Sequence, residues 1–146
     1  MVSGPEGRSP LVVVGVDGSD ASIHALEWAF TQAQLTGAEL EVVTAWQWPL
    51  SLGMPLPVAT GYDPAADAQR ALDGMVGPLA ARFPTVAVRT RPVEGHPAEV
   101  LVEASRHAGL LVVGSRGHGT LSGALLGSVS QHCVAHAASP VLVHRG

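Results

Sequence analysis

Apolar runs alternate with segments of helical periodicity along almost the whole chain. The near-continuous apolar runs at residues 11–16 and 110–113 are typical of parallel strands buried on both faces of a sheet. Further strands are predicted at residues 39–45, 86–91 and 140–144, and the alternation of apolar and polar residues in 86–91 favours an edge strand. The pattern therefore predicts five strands.

A helix is predicted after the first strand, where apolar residues recur at spacings of three and four. These residues are Ile23, Leu26, Phe30 and Ala33. Residues 17–19 turn the chain, either Ser19 or Asp20 can cap the helix start, and Gly37 suits its end. The sequence thus predicts one helix between its first two strands.

Three more helices are predicted between the later strands. Residues 72–79 carry a helical pattern that Gly74, Gly77 and Pro78 weaken, so the sequence allows a kink or break in this helix near Gly77. Pro97 suits a first helical turn, and residues 128–138 form the last helix. The order predicts a three-layer α/β/α, Rossmann-like fold with a five-stranded, mostly parallel sheet.

The segment from residue 46 to about residue 64 is too long and too rich in Pro and Gly for an ordinary connection. Such loops are either functional lids or disordered. Trp46 and Trp48 within it either stack on a bound base or pack against the loop's own aromatic residues.

Length and composition narrow the class of protein. The 146 residues predict one domain at 10–146 after a short flexible leader at 1–9, with 47% apolar residues. The net charge of -4 gives no basic field for nucleic acid, and no apolar run is long enough for a membrane span. With one cysteine and no signal-peptide pattern, we expect a cytoplasmic protein with neither nucleic-acid nor membrane partners.

The sequence contains no lysine, because all eight of its Lys and Arg residues are arginine. A Walker A loop needs Gly-Lys-Ser/Thr, and Schiff-base chemistry needs a lysine amine. Both are excluded.

The glycine pattern Gly114-x2-Gly117-x9-Gly127-Ser128 begins where an apolar strand ends and leads into the last helix. Glycines let backbone N–H groups approach a ligand, and a helix start offers unpaired N–H donors to phosphate. Since Asp17 also follows a buried strand, we expect Asp17 and Gly114 to be neighbours at the ligand-binding edge of the sheet. The alternative is a tight turn that simply needs its glycines.

This glycine pattern, with Val16-Asp17-Gly18-Ser19 ending the first strand, resembles the ATP-binding branch of the universal stress protein family. The resemblance covers residues 11–145 and implies a site for ATP with Mg²⁺. It implies that Gly15, Val16 and Asp17 line the adenine and ribose side, and that the Ala45 backbone meets the adenine. It further implies that Gly114, Ser115, Arg116, Gly117, His118, Gly119 and Thr120 wrap the ribose and phosphates, and that Gly127, Ser128, Val129 and Ser130 hold the phosphates.

Several roles at this site stay open. Asp17 is either a helix-start cap or an acceptor for the nucleotide or its Mg²⁺. Arg116 either pairs with a phosphate or is solvated, and His118 is a candidate pH-dependent donor. No catalytic residue is assigned.

No metal site formed by the protein alone is predicted. His132 and His136 lie four residues apart with Cys133 between them, a spacing that can hold zinc, but four ligands are not evident. Surface or packed histidines are the preferred interpretation, and the position of Cys133 in the helical pattern predicts that it packs as a small apolar residue.

The resemblance implies a nucleotide-dependent regulator in the stress response, and a homodimer for which the strand at residues 140–145 is a candidate edge. One alternative is a slow ATPase or autophosphorylating enzyme, although no base is evident and the lysine usual at such sites is missing. The other is a nucleotide-free dimeric protein that binds a partner.

Overall fold

The computed structural model describes residues 10–57, 60–116 and 126–145. In chain order the elements are β1 (Leu11–Gly15), α1 (Asp20–Thr36), β2 (Glu39–Trp46), β3 (Leu50–Ser51), β4 (Met54–Pro55), α2 (Pro64–Arg82), β5 (Val88–Glu94), α3 (Pro97–Ser105), β6 (Leu110–Gly114), α4 (Ser128–His136) and β7 (Val141–His144). Five strands form one parallel sheet in the order β5-β2-β1-β6-β7. The predicted fold class is confirmed.

The sheet separates two apolar cores, because successive strand side chains point to opposite faces. Val12 and Val14 of β1 pack with α1 and α2 on one face, and Leu11 and Val13 pack with α3 and α4 on the other. This three-layer arrangement buries the sheet centre and leaves the strand ends as the places where a cavity can open.

Local chemistry fixes both ends of α1. Ser19 is the N-cap, and its Oγ accepts the Ser22 N–H at 3.2 Å. Gly37 ends the helix in the left-handed conformation, with a φ of 74°, where a Cβ would be strained. Of the two predicted caps, Ser19 is the one used, and the predicted end at Gly37 is confirmed.

The second helix runs without a break through Gly77 and Pro78. Pro78 removes the N–H that would bond to the Gly74 carbonyl, and all three residues are exposed, so water can reach that carbonyl. The buried side chains of Leu72 and Leu79 hold the two halves of the helix on the same core. Packing therefore outweighs the local break signals.

Both sheet edges lie where the alternation and the topology place them. β5 is one edge, as predicted, and β7 is the other. On β2, beside β5, the buried carboxylate of Glu41 accepts Arg89 Nε at 2.8 Å and Arg91 Nη1 at 2.9 Å. These charge-assisted bonds compensate for the burial of that carboxylate.

The long connection after β2 contains the short antiparallel hairpin of β3 and β4. Its turn has positive φ at Leu52 (52°) and Gly53 (78°), as type I′ hairpin turns require. Trp48 packs edge-to-face on both Trp46 and Tyr62, with ring centroids 6.0 Å apart in each pair. The loop thus packs on its own aromatic residues, and its two-residue strands are too short to give a periodic signal in the sequence.

Candidate functional site

A cavity of about 280 Å³ opens at the carboxyl ends of β1, β2 and β6. Because β1 lies between β2 and β6, and the helices that lead into these two strands, α1 and α3, pack on opposite faces of the sheet, this is the topological switch point. The lining includes these residues predicted from the sequence: Gly15, Val16, Asp17, Ala45, Gly114, Arg116, Gly127, Ser128, Val129 and Ser130. The expected proximity of Asp17 and Gly114 is confirmed.

The remaining predicted residues fall into two groups. Ser115 follows β6 but is absent from the described lining, and its N–H donates to the His144 carbonyl at 2.8 Å. Gly117, His118, Gly119 and Thr120 lie outside the described residues. Their assignment to the ribose and phosphates stays a prediction.

A network of short-range hydrogen bonds fixes the β1–α1 turn at one wall of the cavity. Asp17 Oδ1 accepts the Ser19 N–H at 2.9 Å. The Ser22 hydroxyl accepts the Asp17 N–H at 3.2 Å and donates to the Ser19 carbonyl at 2.9 Å. Asp17 therefore closes the turn ahead of the true N-cap, and its carboxylate is held beside the cavity.

The start of α4 forms the opposite wall. Its N-cap is Gly127, no side chain among the described residues caps it, and its first turn has no acidic residue. By contrast, Ser19 caps α1 and Asp63 caps α2, and α3, which also has no side-chain cap, carries the acidic Glu99 in its first turn. An uncapped helix start presents N–H donors and the positive end of the helix dipole, so this wall suits an anion.

The two serines in the first turn of α4 have different surroundings. Ser130 is buried, and its Oγ donates to the Gly114 carbonyl at 2.5 Å, which ties α4 to the end of β6. Ser128 is exposed at the cavity. Of the two hydroxyls predicted to meet phosphate, the geometry favours that of Ser128.

The glycines at the ends of β1 and β6 also have packing roles. A Cβ at Gly114 would lie 2.9 Å from the Ala21 carbonyl carbon and 3.1 Å from the Ser22 nitrogen. A Cβ at Gly15 would lie 2.5 Å from Leu101 Cδ1. These distances are below ordinary contact. The backbone of α1 leaves no room for a side chain at Gly114, whereas at Gly15 the Leu101 side chain would have to move.

Sequence reasoning missed part of the lining of this cavity. The lining residues that it missed are Ser22, Val43, Pro97, Leu101 and Val113. Pro97 and Leu101 belong to α3, and periodicity predicts that helix without showing which strand ends it covers. The connection from the edge strand β5 back to the centre of the sheet is the signal that could have placed α3 here.

Away from the cavity, Cys133 is fully buried among apolar residues between α4 and the sheet, and the prediction that it packs as a core residue is confirmed. His132 and His136 stack on each other, with ring centroids 4.3 Å apart. Within residues 10–57, 60–116 and 126–145, no group of three or more His, Cys, Asp or Glu side chains could hold a metal ion.

The burial of Cys133 predicts a pH effect on stability. Burial raises the pKa of its thiol from 9.0 to about 11. Because the folded protein holds this proton more tightly than the unfolded chain, the stabilisation is present below pH 9 and is lost as pH rises toward 11. Urea unfolding should show a decrease of about 2–3 kcal/mol in the free energy of unfolding over this range.

Cys133→Ala is the control for this effect, and its stability should fall much less between pH 9 and pH 11. The absence of lysine and the single tyrosine leave few other side chains that titrate in that range. If the free energy of unfolding falls equally with pH in the two proteins, Cys133 is not the source of the pH effect.

The fold and this cavity define an open parallel α/β domain with a cavity at its switch point. None of the helices in the described part of the chain is long and apolar enough to cross a membrane. The chain belongs to the universal stress protein family, whose model matches residues 11–145.

Curated relatives carry the same family name. A universal stress protein of Mycobacterium tuberculosis is 41% identical over 145 residues, which cover 97% of this chain and 47% of that protein. Another, from Mycolicibacterium smegmatis, is 36% identical over 136 residues, which cover 92% of this chain and 45% of that protein. The chain thus spans about half the length of these relatives.

Solved structures share the fold. UspA from Lactobacillus plantarum has a TM-score of 0.76 and 24% identity, covering 95% of this chain and 99% of that chain. A universal stress protein in complex with cAMP has a TM-score of 0.68 and 32% identity, covering 94% of this chain and 97% of that chain. One from Archaeoglobus fulgidus in complex with dAMP has a TM-score of 0.65 and 20% identity, covering 92% and 96%.

Proposed function

We propose that this chain binds an adenine nucleotide in the cavity at the switch point and acts as a nucleotide-dependent regulator in the stress response. The observation that carries the proposal is the uncapped start of α4 facing an otherwise largely apolar cavity. A base suits apolar walls, and a phosphate suits the amides and dipole of a helix start. The structural relatives in complex with cAMP and dAMP support a nucleotide as the ligand class.

Within this proposal, the nucleotide is ATP with Mg²⁺. Gly15, Val16 and the Ala45 backbone would hold the adenosine, and Ser128 with the first amides of α4 would hold the phosphates. Asp17 offers the hard oxygen ligand that Mg²⁺ prefers. Arg116, the one arginine in the described lining, would offset part of the phosphate charge.

The proposal also includes a homodimer, a cytoplasmic location and a single nucleotide-binding domain at residues 10–146. β7 is an edge of the sheet, and residues 140–145 offer its backbone groups for pairing with a second copy. The single cysteine, buried as a free thiol, fits a reducing compartment.

We further propose binding without efficient turnover. Asp17 is the only carboxylate in the described lining, and it accepts a backbone N–H of its own turn. A hydrolase would need a group that orients or activates water. Phosphate release by the purified protein should therefore be slow, and substantial release that Asp17→Ala abolishes would overturn this part.

Mass spectrometry of the small molecules released on denaturing the purified protein tests the nucleotide proposal. We expect an adenine nucleotide in an amount that approaches one per chain, and ATP with Mg²⁺ should compete best for the emptied site in equilibrium dialysis. If no nucleotide is released, and dialysis detects no binding of ATP, AMP or cAMP, the proposal is wrong.

A further inference from the structure

A second cavity, of about 400 Å³, lies on the other side of the β1 and β2 ends, against the first turns of α2. It shares Asp17 and Ala45 with the first cavity, but its other walls come from Gly18, the end of β2, Tyr62 and α2. No nucleotide role assigned above uses those other walls.

The chemistry of this second cavity differs from that of the first. Its walls carry two carboxylates, Asp17 and Asp67, and two aromatic rings, Trp46 and Tyr62. Among the described residues that line it, none is Arg, Lys or His. Carboxylates and ring faces both attract cations, whereas neither attracts a phosphate.

The aromatic walls are braced from outside the cavity. Trp48 packs edge-to-face on Trp46 at an interplanar angle of 78° and on Tyr62 at 74°, although Trp48 is not part of the lining. A ring that is already held in place loses little freedom when a ligand binds against it. The two rings are therefore a preformed feature of the protein.

The local charge balance is negative. The positive ends of α1 and α2 point toward this region, but Asp20 lies in the first turn of α1, while Asp63 caps α2. Arg70 pairs with Asp67 through Oδ1, and both side chains are more than half exposed, so solvent screens this pair. Together with Asp17, these carboxylates carry more charge than Arg70, the two helix ends and Arg116, which lines the first cavity with Asp17.

We propose that this second cavity binds a small organic cation of the alkylammonium class. The cation lies against Trp46 and Tyr62, and Asp17 and Asp67 balance its charge. This site goes beyond the proposed nucleotide binding and does not depend on it. A binding measurement on nucleotide-free protein therefore separates the two claims.

Choline and its neutral carbon isostere, 3,3-dimethyl-1-butanol, are the probes. We expect choline to bind at least about tenfold more tightly than the isostere, because only choline carries the positive charge. Its binding should shift the Trp46 indole N–H resonance in NMR spectra of nitrogen-15-labelled protein. Equal affinities for the two probes, or no shift of the Trp46 resonance with choline, would overturn the proposal.

Matched variants locate the charge that matters. Asp67→Asn should weaken choline binding several-fold and leave binding of the isostere unchanged, whereas Asp73→Asn, on the same helix but outside the lining, should change neither. Trp46→Leu should weaken choline binding by about tenfold. If Asp73→Asn weakens choline binding as much as Asp67→Asn does, the site is not where we place it.

Discussion

Replacing Ser128 by aspartate is expected to abolish nucleotide binding while leaving the fold at least as stable. Ser128 is exposed in the first turn of α4, at the wall of the switch-point cavity. A carboxylate there would lie within about 5 Å of a bound phosphate, and at an effective dielectric constant near 20 it would cost about 3 kcal/mol per unit of phosphate charge. The affinity for AMP should therefore fall by more than about 100-fold.

The same aspartate favours the helix itself. A negative charge in the first turn interacts well with the positive end of the helix dipole, by about 0.3–1 kcal/mol. Urea unfolding without nucleotide should therefore show equal or greater stability for Ser128→Asp, while calorimetric titration shows the loss of binding. A variant that is as stable as the original protein or more stable, and yet does not bind nucleotide, has not lost binding through unfolding.

Ser128→Asn is the matched control, because it has nearly the same shape as Ser128→Asp without the charge. It should lose far less affinity than Ser128→Asp. If the two variants bind AMP equally well, the start of α4 does not hold the phosphate.

Gly114→Ala is expected to destabilise the fold in the absence of any ligand. The new Cβ would meet backbone atoms, 2.9 Å from the Ala21 carbonyl carbon and 3.0 Å from its oxygen, and no side-chain rotation can relieve that overlap. Overpacking of this kind costs about 1–3 kcal/mol. Urea unfolding of nucleotide-free protein measures the change.

Gly74→Ala is the control, because it makes the same glycine-to-alanine change at a position where the new Cβ has room. Gly74 is an exposed position inside α2, and a Cβ there meets nothing within 4 Å. This variant should be as stable as the original or about 0.5–1 kcal/mol more stable. If Gly114→Ala is as stable as Gly74→Ala, the close packing of α1 on the end of β6 does not explain the glycine.

The sequence predicted those elements whose signals are local. The Ser19 cap and the Gly37 stop depend on residues within a few positions, and the apolar runs of β1 and β6 are unmistakable because both faces of those strands are buried. The βα repeat predicted a mostly parallel sheet, and the observed order places β1 beside β6, so that Asp17 and Gly114 lie at the same edge.

The features that escaped prediction depend on contacts between distant parts of the chain. The Ser130 hydroxyl donates to the carbonyl of Gly114, which lies sixteen positions earlier, and nothing local in the sequence indicates this tie between α4 and β6. The phosphate contact that the resemblance implies for Ser130 stays a prediction. The unbroken α2 depends on burial of Leu72 and Leu79, which outweighs the local effect of Gly77 and Pro78. The periodic pattern indicated the helix, but how firmly the core holds these two side chains is not visible in the sequence.

Mapping of AMP binding by NMR on nitrogen-15-labelled protein tests the central claim most directly. We expect saturable shifts, complete at one equivalent per chain, at the amides of Gly15, Asp17, Gly114, Ser128 and Val129, and no such shifts in the Ser128→Asp variant. These amides surround the switch-point cavity. Saturable shifts confined to other surfaces, or no saturable shift with AMP, cAMP or ATP, would contradict the account.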